Sequence, residues 1–182
     1  MTDAPALAGP VPAGLLRRLG AIVSDSLVVF ALLALSTLIV FVPILNLLGK
    51  KVLAPAEVGW LFYCLYLLTM LSVWFGFYGY FWTRSGQTIG MRAWHIRVES
   101  EAGRLLTWTE ALRRWIAAWL PWLPSIVLLM SAERAGSGLL KIVGQGLGLL
   151  GAGGLLWMYC NAQRAAWHDH ISRSRVILLP KR

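Results

Sequence analysis

The sequence predicts an all-α membrane protein: a four-helix transmembrane bundle, with its third span kinked by prolines, that carries a small cytoplasmic β-hairpin element. Hydrophobic residues make up 58% of the 182 residues and charged residues only 14%, which is too little charge to cover a soluble domain. The apolar residues are concentrated in four long segments. The 17 Lys and Arg residues, against 8 Asp and Glu, lie between or beside those segments, where membrane topology explains them better than nucleic acid does.

Each of the four apolar segments approaches or exceeds the roughly 20 residues needed to cross a bilayer core. We predict one domain over residues 1–182, with spans at about 20–48, 58–82, 113–132 and 142–165. The third span contains Pro121 and Pro124, so we expect a kinked helix, with a re-entrant segment as the alternative. The first span is too long for a signal peptide and lacks a cleavage site, so we expect it to remain as an anchor.

The distribution of Lys and Arg predicts the orientation of the chain. Four spans place the N-terminal tail, the loop after the second span and the C-terminal tail on one side of the membrane, with 13 Lys and Arg residues against 4 on the other side. The positive-inside rule therefore places both termini in the cytoplasm, in a multi-pass protein of the cell (inner) membrane. A chain with three spans would divide the basic segments between the two sides, which fits the rule less well.

The predicted cytoplasmic loop, residues 83–112, opens with a motif that contains two glycines. Gly86, Gln87, Thr88 and Gly90 are typical of a tight turn with a close approach between backbones. Their spacing matches neither a phosphate-binding loop nor a dinucleotide fingerprint. We therefore assign no nucleotide site to this motif.

The remainder of the loop predicts a strand, a turn and the start of the third helix. Residues 93–99 alternate weakly between apolar and polar side chains, as in a half-buried strand, and residues 104–106 are predicted as its return strand. Residues 175–180 are a further strand candidate that could join this hairpin. Thr107 and Glu110 have the spacing of a capping box, which predicts a helix that begins there and continues into the third span.

Two aspartates and two arginines form the candidate functional site. Asp25 is the only charged residue between positions 21 and 49, and a carboxylate at membrane depth is normally paired or faces a polar cavity. Arg18 lies about two helical turns before it on the same face. Asp169 follows the fourth span and, with both termini inside, lies at the same membrane edge. We predict an ion-binding or ion-pair cluster of Arg17, Arg18, Asp25 and Asp169.

These motifs together resemble the RDD family of bacterial membrane proteins, which is named for an arginine and two aspartates. The resemblance covers about residues 13–180 and rests on the segments 17–25, 85–90 and 168–176. It implies that the family's arginine is Arg18 or Arg17 and that its aspartates are Asp25 and Asp169. It also implies membrane spans with a cytoplasmic loop, and a role in transport that includes cation/proton exchange. Ser174 stands where the family usually has Thr.

A stripe of small residues marks the fourth span. Gly144, Gly148 and Ala152 recur every four residues and allow the close approach of a second helix. That helix belongs either to a second copy of the chain, which gives a homo-oligomer, or to the same bundle. The other expected partners are the lipid bilayer and an unidentified protein, and we expect no nucleic acid partner.

The sequence leaves two functions open. In the first, the protein is a small transporter or transport-associated protein, in which Asp25 and Asp169 bind a cation and Arg18 favours their ionised form. In the second, it is a structural or partner-binding membrane protein in which the Arg/Asp cluster locks the fold. We do not expect an enzyme, because the sequence shows no complete catalytic constellation, and we predict no catalytic residue, cofactor or metal site.

Overall fold

The computed structural model describes residues 11–51, 55–161 and 164–180. Within these ranges it contains four helical segments that are long and apolar enough to cross a membrane, at Leu15–Leu47, Trp60–Arg84, Trp108–Ala135 and Gly138–Tyr159. The predicted four-span fold class is therefore confirmed, with boundaries that differ from the predicted ones by a few residues. Positions 162 and 163 of the predicted fourth span lie outside the described residues.

The spans are built from consecutive helices, and short elements connect them. In chain order the elements are α1 (Leu15–Ser36), α2 (Val42–Leu47), α3 (Pro55–Val58), α4 (Trp60–Arg84), α5 (Ile89–Ala93), β1 (Ile96–Ser100), α6 (Trp108–Trp119), α7 (Leu123–Ala135), α8 (Gly138–Leu156), α9 (Trp167–Ile171) and β2 (Ser174–Leu178). A π-helical turn, Thr37–Phe41, joins α1 to α2. Turns of 3₁₀ helix follow α6 at Leu120–Trp122 and α8 at Trp157–Tyr159.

Prolines coincide with the irregular turns of the first and third spans. Pro43 lies in the first turn of α2, directly after the π-helical turn. The α-helical hydrogen bonding is interrupted there because a proline lacks the N–H group that would continue it. Pro121 lies in the 3₁₀ turn between α6 and α7, and Pro124 lies in the first turn of α7. The third segment continues through this break to Ala135, so the predicted interruption by prolines is confirmed.

The small sheet pairs two strands that are far apart in the sequence. β1 and β2 are antiparallel, with Val98 opposite Val176. The N-terminal chain lies along the other edge of β2, because Leu178 N donates to Val11 O at 2.8 Å and Ala13 N donates to Val176 O at 2.9 Å. The beginning, the middle and the end of the described chain therefore meet at this sheet.

The predicted return strand at residues 104–106 is wrong, although the predicted antiparallel β element is present. Ser100 N donates to Arg104 O at 2.8 Å, which closes a turn around Gly103. Three residues then remain before Thr107, which is the N-cap of α6. The predicted capping box between Thr107 and Glu110 is confirmed. Such a short connection cannot form a ladder with β1, so the C-terminal strand takes that edge.

The buried core lies at one end of the bundle, which we call the polar end and define by residues 11–14, 85–107 and 164–180. Its buried apolar side chains come from α1, α4, α5, β1, the connection before α6, α6 and β2, and include Ala21, Trp82, Met91, Ile96, Val98, Leu106, Ala111 and Val176. Away from this end the spans expose large apolar side chains, such as Phe30 (73%) and Leu149 (75%). An apolar helix surface of this kind is stable where lipid covers it.

The stripe of small residues on α8 packs against α7 of the same chain. An added Cβ at Gly144 would lie 3.0 Å from the Leu129 side chain, and one at Gly148 would lie 2.9 Å from Ser125 Oγ. Ser125 Oγ also donates to Gly144 O at 2.7 Å. Ala152, the third residue of the predicted stripe, is half-buried. Close packing inside the bundle therefore accounts for both glycines, and association with a second copy stays a prediction.

Candidate functional site

Asp169 is completely buried in the first turn of α9 and binds two arginines. Arg18 Nη1 donates to its Oδ2 atom and Arg114 Nη1 donates to its Oδ1 atom, each at 2.5 Å. Ala166 N also donates to Oδ2, at 2.9 Å. We call Arg18, Arg114 and Asp169 the ion triad. Because its members come from α1, α6 and α9, the first span, the third span and the C-terminal segment meet at one carboxylate.

Both arginines of the ion triad are buried and make further hydrogen bonds. Arg18 Nε donates to Ala13 O at 3.1 Å, and Arg18 Nη2 donates to Arg164 O at 2.9 Å. Arg114 Nη1 also donates to Ser174 Oγ. Buried charges are tolerated only when they are paired and hydrogen-bonded, and the removal of one partner leaves an uncompensated charge. The arrangement has the properties of a structural lock.

The charges around α9 favour an ionised aspartate beside a neutral histidine. Burial alone would raise the pKa of the Asp169 carboxyl, but the adjacent positive charges of Arg114 and Arg18 hold that pKa below its usual range. Burial, together with the positive charge of Arg114, lowers the pKa of His168 to about 4. His168 is therefore neutral near pH 7, and the ion triad, with two cations and one anion, carries a net positive charge.

Asp25 lies in a separate site, and the structure does not bring it into the ion triad. It accepts two hydrogen bonds from the loop after the second span, from Thr88 Oγ1 to Oδ2 at 2.5 Å and from Gly90 N to Oδ1 at 2.8 Å. In the part of the chain that the structure describes, no Lys or Arg forms an ion pair with it. Arg17 donates instead to Trp94 O at 3.1 Å. Of the four residues predicted to cluster, Arg18 and Asp169 are therefore in direct contact.

The glycine-containing loop motif forms the contact between α5 and α1. Thr88 is the N-cap of α5: its Oγ1 atom accepts a hydrogen bond from Met91 N at 3.1 Å while it donates to Asp25. A Cβ atom on Gly90 would lie 2.4 Å from Ala21 O. The two helices can therefore approach this closely only with glycine at that position, as the sequence motif predicts.

Gly86 and Gln87 hold the start of the same loop against β1. Gly86 has a φ of +70°, and a Cβ there would lie 2.6 Å from Val98 O. Both the left-handed backbone and the lack of space require glycine at this turn. Gln87 Nε2 donates to Ile96 O at 2.8 Å. All four residues of the motif therefore have a defined structural role beside Asp25.

A cavity of about 420 Å³ lies between α1, α4, α6, α8 and α9, next to both carboxylate sites. Arg18, Asp25, Arg114 and His168 form its polar side. Aromatic rings make up much of the remaining wall, from Tyr78, Trp82, Trp115, Trp119, Trp122 and Trp167. A largely apolar chamber with a few converging polar groups is typical of a small-molecule binding site.

The described ranges hold no three His, Cys, Asp or Glu side chains that are close enough together to bind a metal ion. Cys64 and Cys160 are free thiols at exposed positions. His168 Nε2 lies 3.5 Å from Asp169 Oδ1. The polar groups of the described site are guanidinium, carboxylate, imidazole, hydroxyl and indole groups.

Arg114 is the functional residue that the sequence prediction missed. Its neighbour Arg113 is exposed, whereas Arg114 is only 4% exposed, and residue type alone does not distinguish them. The available signal is the spacing of Ala111, Arg114 and Ala117, which lie three residues apart on one helix face and are all buried. A basic residue on a face of small side chains needs a buried partner.

Comparison with protein-family models identifies a family that covers most of the chain. The sequence model described as the RDD family matches residues 12–173, which is most of the chain. This range contains the ion triad, Asp25 and the loop motif, and it ends just before Ser174. Neither a curated protein nor a solved structure matches the chain.

Proposed function

The chain belongs to the RDD family, and on that premise we propose that it is a transport protein of the cell inner membrane in which Asp25 exchanges a cation for a proton. One observation carries the proposal. Asp25 is only 2% exposed, lines the cavity and has no ion-pair partner among the described residues. A buried carboxylate normally has a positive charge nearby. A proton or a small cation that arrives through the cavity supplies that charge.

The proposal gives the two aspartates different roles. Asp169 is neutralised by Arg18 and Arg114, so we assign it to the structural lock and assign ion exchange to Asp25. Protonation of Asp25 weakens the hydrogen bonds that it accepts from Thr88 and Gly90, because a neutral carboxyl is a weaker acceptor than a carboxylate. The ion at Asp25 is thereby coupled to the position of α5 and of the loop that follows it.

Ion flux in proteoliposomes tests this proposal. The purified protein is reconstituted with a pH-sensitive dye inside the vesicles, and proton movement is recorded after a sodium or potassium gradient is imposed. We expect Asp25→Asn to remove most of the flux, because the amide keeps the size of the side chain but cannot take up a proton. Glu133→Gln is the matched control, since Glu133 is 75% exposed. Flux by Asp25→Asn equal to that of the wild type contradicts the proposal.

The second candidate is a structural or partner-binding protein, and it is favoured by the buried contact of Asp169 with two arginines. Loss of Asp169 should disrupt assembly under either function, so Asp169 variants do not separate the two. Asp25→Asn does separate them. Under the transport proposal this variant assembles normally and loses flux. Under the structural alternative the wild type shows no ion flux, and assembly depends on the bonds between Asp25 and α5.

We also propose that both termini face the cytoplasm. The support is the distribution of basic residues, with 13 Lys and Arg on the side of the polar end and 4 on the other side. With this orientation the ion triad, Asp25 and the loop after the second span lie at the cytoplasmic edge. The cavity then opens its polar side toward the cytoplasmic half of the bilayer.

A further inference from the structure

The short helix and the strand at the polar end occur twice in the chain. α9 and β2 begin and end 78 residues after α5 and β1, respectively. The residue between helix and strand has a positive φ in both copies, 54° at His95 and 49° at Arg173. The preceding spans keep the same spacing, because α4 begins at Trp60 and α8 at Gly138. A constant offset across a span, a short helix, a turn and a strand indicates an internal structural repeat, as many transporters have.

The pairing of the two strands defines the arrangement of the repeats. Val98 lies opposite Val176, its equivalent 78 residues later, and the antiparallel register is symmetric about this pair. A two-fold axis therefore passes between the two valines. In each repeat the short helix packs against the first span, α5 against α1 and α9 against α6. The first repeat is thus α1 to β1 and the second is α6 to β2, and both begin at the polar end.

The two-fold axis relates two contacts between the repeats, that of α4 with α6 and that of α8 with α1. Aromatic rings fill the first: the Trp74 ring centroid lies 4.4 Å from that of Trp119, and the Phe75 centroid lies 5.8 Å from that of Trp115. Within the described ranges, α8 and α1 make no comparable packing contact. The cavity lies between them. One of two equivalent contacts is therefore closed and the other is open.

Small residues in α8 explain the open contact. Residues 73–76 of α4 are Val-Trp-Phe-Gly, whereas residues 151–154, their equivalents in α8, are Gly-Ala-Gly-Gly. Gly151 and Gly154 line the cavity. This part of α8 thus carries no counterpart of the rings that fill the space between α4 and α6. The cavity of about 420 Å³ takes the place of an aromatic contact.

The polar side of the cavity carries no net charge when Asp25 is ionised. Its two guanidinium groups, Arg18 and Arg114, both contact the carboxylate of Asp169. Asp25 supplies the second negative charge on the same wall, and its oxygen atoms already accept hydrogen bonds. His168 is neutral near pH 7, because its pKa is lowered to about 4. This wall offers an ion no excess of opposite charge, whereas the aromatic wall stabilises an apolar ligand.

The cavity opens on the surface that lipid covers. Ile22 and Trp119 line it from two different spans, and they are 44% and 36% exposed. Both lie in segments that are long and apolar enough to cross a membrane, where the surrounding medium is hydrocarbon. A molecule dissolved in the bilayer can therefore reach the cavity between α1 and α8.

We propose that the cavity binds an uncharged aromatic molecule that enters from the bilayer between α1 and α8. The rings of the ligand take the place that Trp74 and Phe75 occupy in the contact between α4 and α6, and they pack edge to face against the indoles of the wall. The proposal goes beyond ion exchange at Asp25, because an uncharged ligand neither adds nor removes a charge there.

Photolabelling of the purified protein in phosphatidylcholine nanodiscs tests this proposal. The probe is benzophenone, an uncharged diaryl ketone that inserts into nearby C–H bonds under ultraviolet light, and mass spectrometry identifies the labelled residues. We expect saturable labelling of residues that line the cavity, such as Met91, which is only 9% exposed. An excess of diphenylmethane should prevent it. Labelling confined to exposed residues outside the cavity overturns the proposal.

Charged derivatives of the probe test the selectivity. Benzoylbenzoate carries a negative charge and benzoylbenzyltrimethylammonium a positive charge on the same ring system. We expect both to label the cavity much more weakly than benzophenone does at an equal concentration in the bilayer. Equal or stronger labelling by either derivative contradicts the proposal, since the cavity would then not select an uncharged ligand.

Ile22→Trp and Val23→Trp are a matched pair of variants at the entrance. These neighbours on α1 are 44% and 63% exposed, and of the two it is Ile22 that lines the cavity. We expect Ile22→Trp to obstruct the entrance and to lose most of the labelling of Met91, whereas Val23→Trp should retain it. Equal labelling of the two variants contradicts entry between α1 and α8.

Ala118→Phe places an aromatic ring of the chain itself in the cavity. Ala118 is half-buried and lines the cavity, so we expect this variant to lose the labelling, and unchanged labelling contradicts the proposal. If it fails to fold, the pair at positions 22 and 23 decides the result. Ion flux measured on the same protein separates the two proposals. Labelling without flux would refute the transport function and leave this inference intact, whereas flux without labelling would refute this inference alone.

Discussion

Neutralisation of Asp169 should be the most destabilising single change at the polar end. In Asp169→Asn, the buried guanidinium groups of Arg18 and Arg114 lose the one carboxylate that both contact. Loss of one partner from a buried ion pair is destabilising by about 3–5 kcal/mol, which is a large part of the roughly 5–15 kcal/mol of a typical fold. The new amide still accepts one hydrogen bond, but it cannot balance either positive charge. We therefore expect a decrease of about 3–5 kcal/mol in the free energy of unfolding.

Equilibrium unfolding in detergent micelles, followed by tryptophan fluorescence, measures this decrease. The matched control is Glu133→Gln, because Glu133 pairs with Lys141 at 3.4 Å and both side chains are mostly exposed. An exposed pair contributes less than about 1 kcal/mol. If the free energy of unfolding decreases by the same small amount in Asp169→Asn and in the control, the ion triad is not a structural lock.

A second variant tests the cause of the decrease. In Arg114→Met combined with Asp169→Asn, one of the two unpaired buried cations is also removed. This double variant should be more stable than Asp169→Asn alone, since buried charges without partners are more unfavourable than apolar side chains of similar volume. The result would be different if packing, rather than charge, were responsible. The double variant would then be less stable than the wild type by the sum of the losses measured for Arg114→Met alone and Asp169→Asn alone.

Three further predictions concern other parts of the polar end. Gly90→Ala should destabilise the fold by about 1–3 kcal/mol, because its Cβ would lie 2.4 Å from Ala21 O. Gly76→Ala, whose Cβ would meet nothing within 4 Å, should be neutral in the same unfolding assay. Equal effects of the two substitutions contradict the close approach at Gly90. His168, with its pKa lowered to about 4 from an ordinary value of about 6.5, is protonated first in the unfolded chain. Stability should therefore fall as the pH drops from about 6.5 toward 4, and His168→Asn should flatten that part of the unfolding profile; an unchanged slope refutes the assignment. In a chain that also carries Cys64→Ser and Cys160→Ser, which removes the two native thiols, a cysteine in Ala102→Cys, at the exposed turn after β1, should react with an impermeant thiol reagent only in inverted vesicles. Labelling in intact cells reverses the proposed orientation.

Local patterns in the sequence predicted the elements of this fold that depend on local chemistry. The four apolar segments, the proline break at Pro121 and the capping box between Thr107 and Glu110 are all present. Each follows from residues that lie within a few positions of one another. The requirement for glycine at Gly86 and Gly90 is likewise visible in the motif, although its cause is contact with Val98 O and Ala21 O.

The remaining features depend on contacts between distant parts of the chain. Residues 104–106 were the nearest apparent partner for β1, yet β2 takes that edge from the other end of the sequence. The grouping of Asp25 with Asp169 followed from their shared membrane edge, which does not specify the direction of a side chain. Arg114 was indistinguishable from Arg113 by residue type, because burial within the bundle separates them. Periodicity across α6 was the available clue.

The sheet at the polar end also constrains the order in which the protein can fold. Arg18 leaves the ribosome near the beginning of synthesis, but its carboxylate partner, Asp169, lies 151 residues later, and β2 follows still later in the chain. All four spans are therefore synthesised before Arg18 in the first one can bind its carboxylate partner. Contacts of such large sequence separation form slowly, and the chain exposes an unpaired charge until they do. The C-terminal segment, which carries Asp169 and β2, is therefore the last part of the described chain that the closed polar end requires.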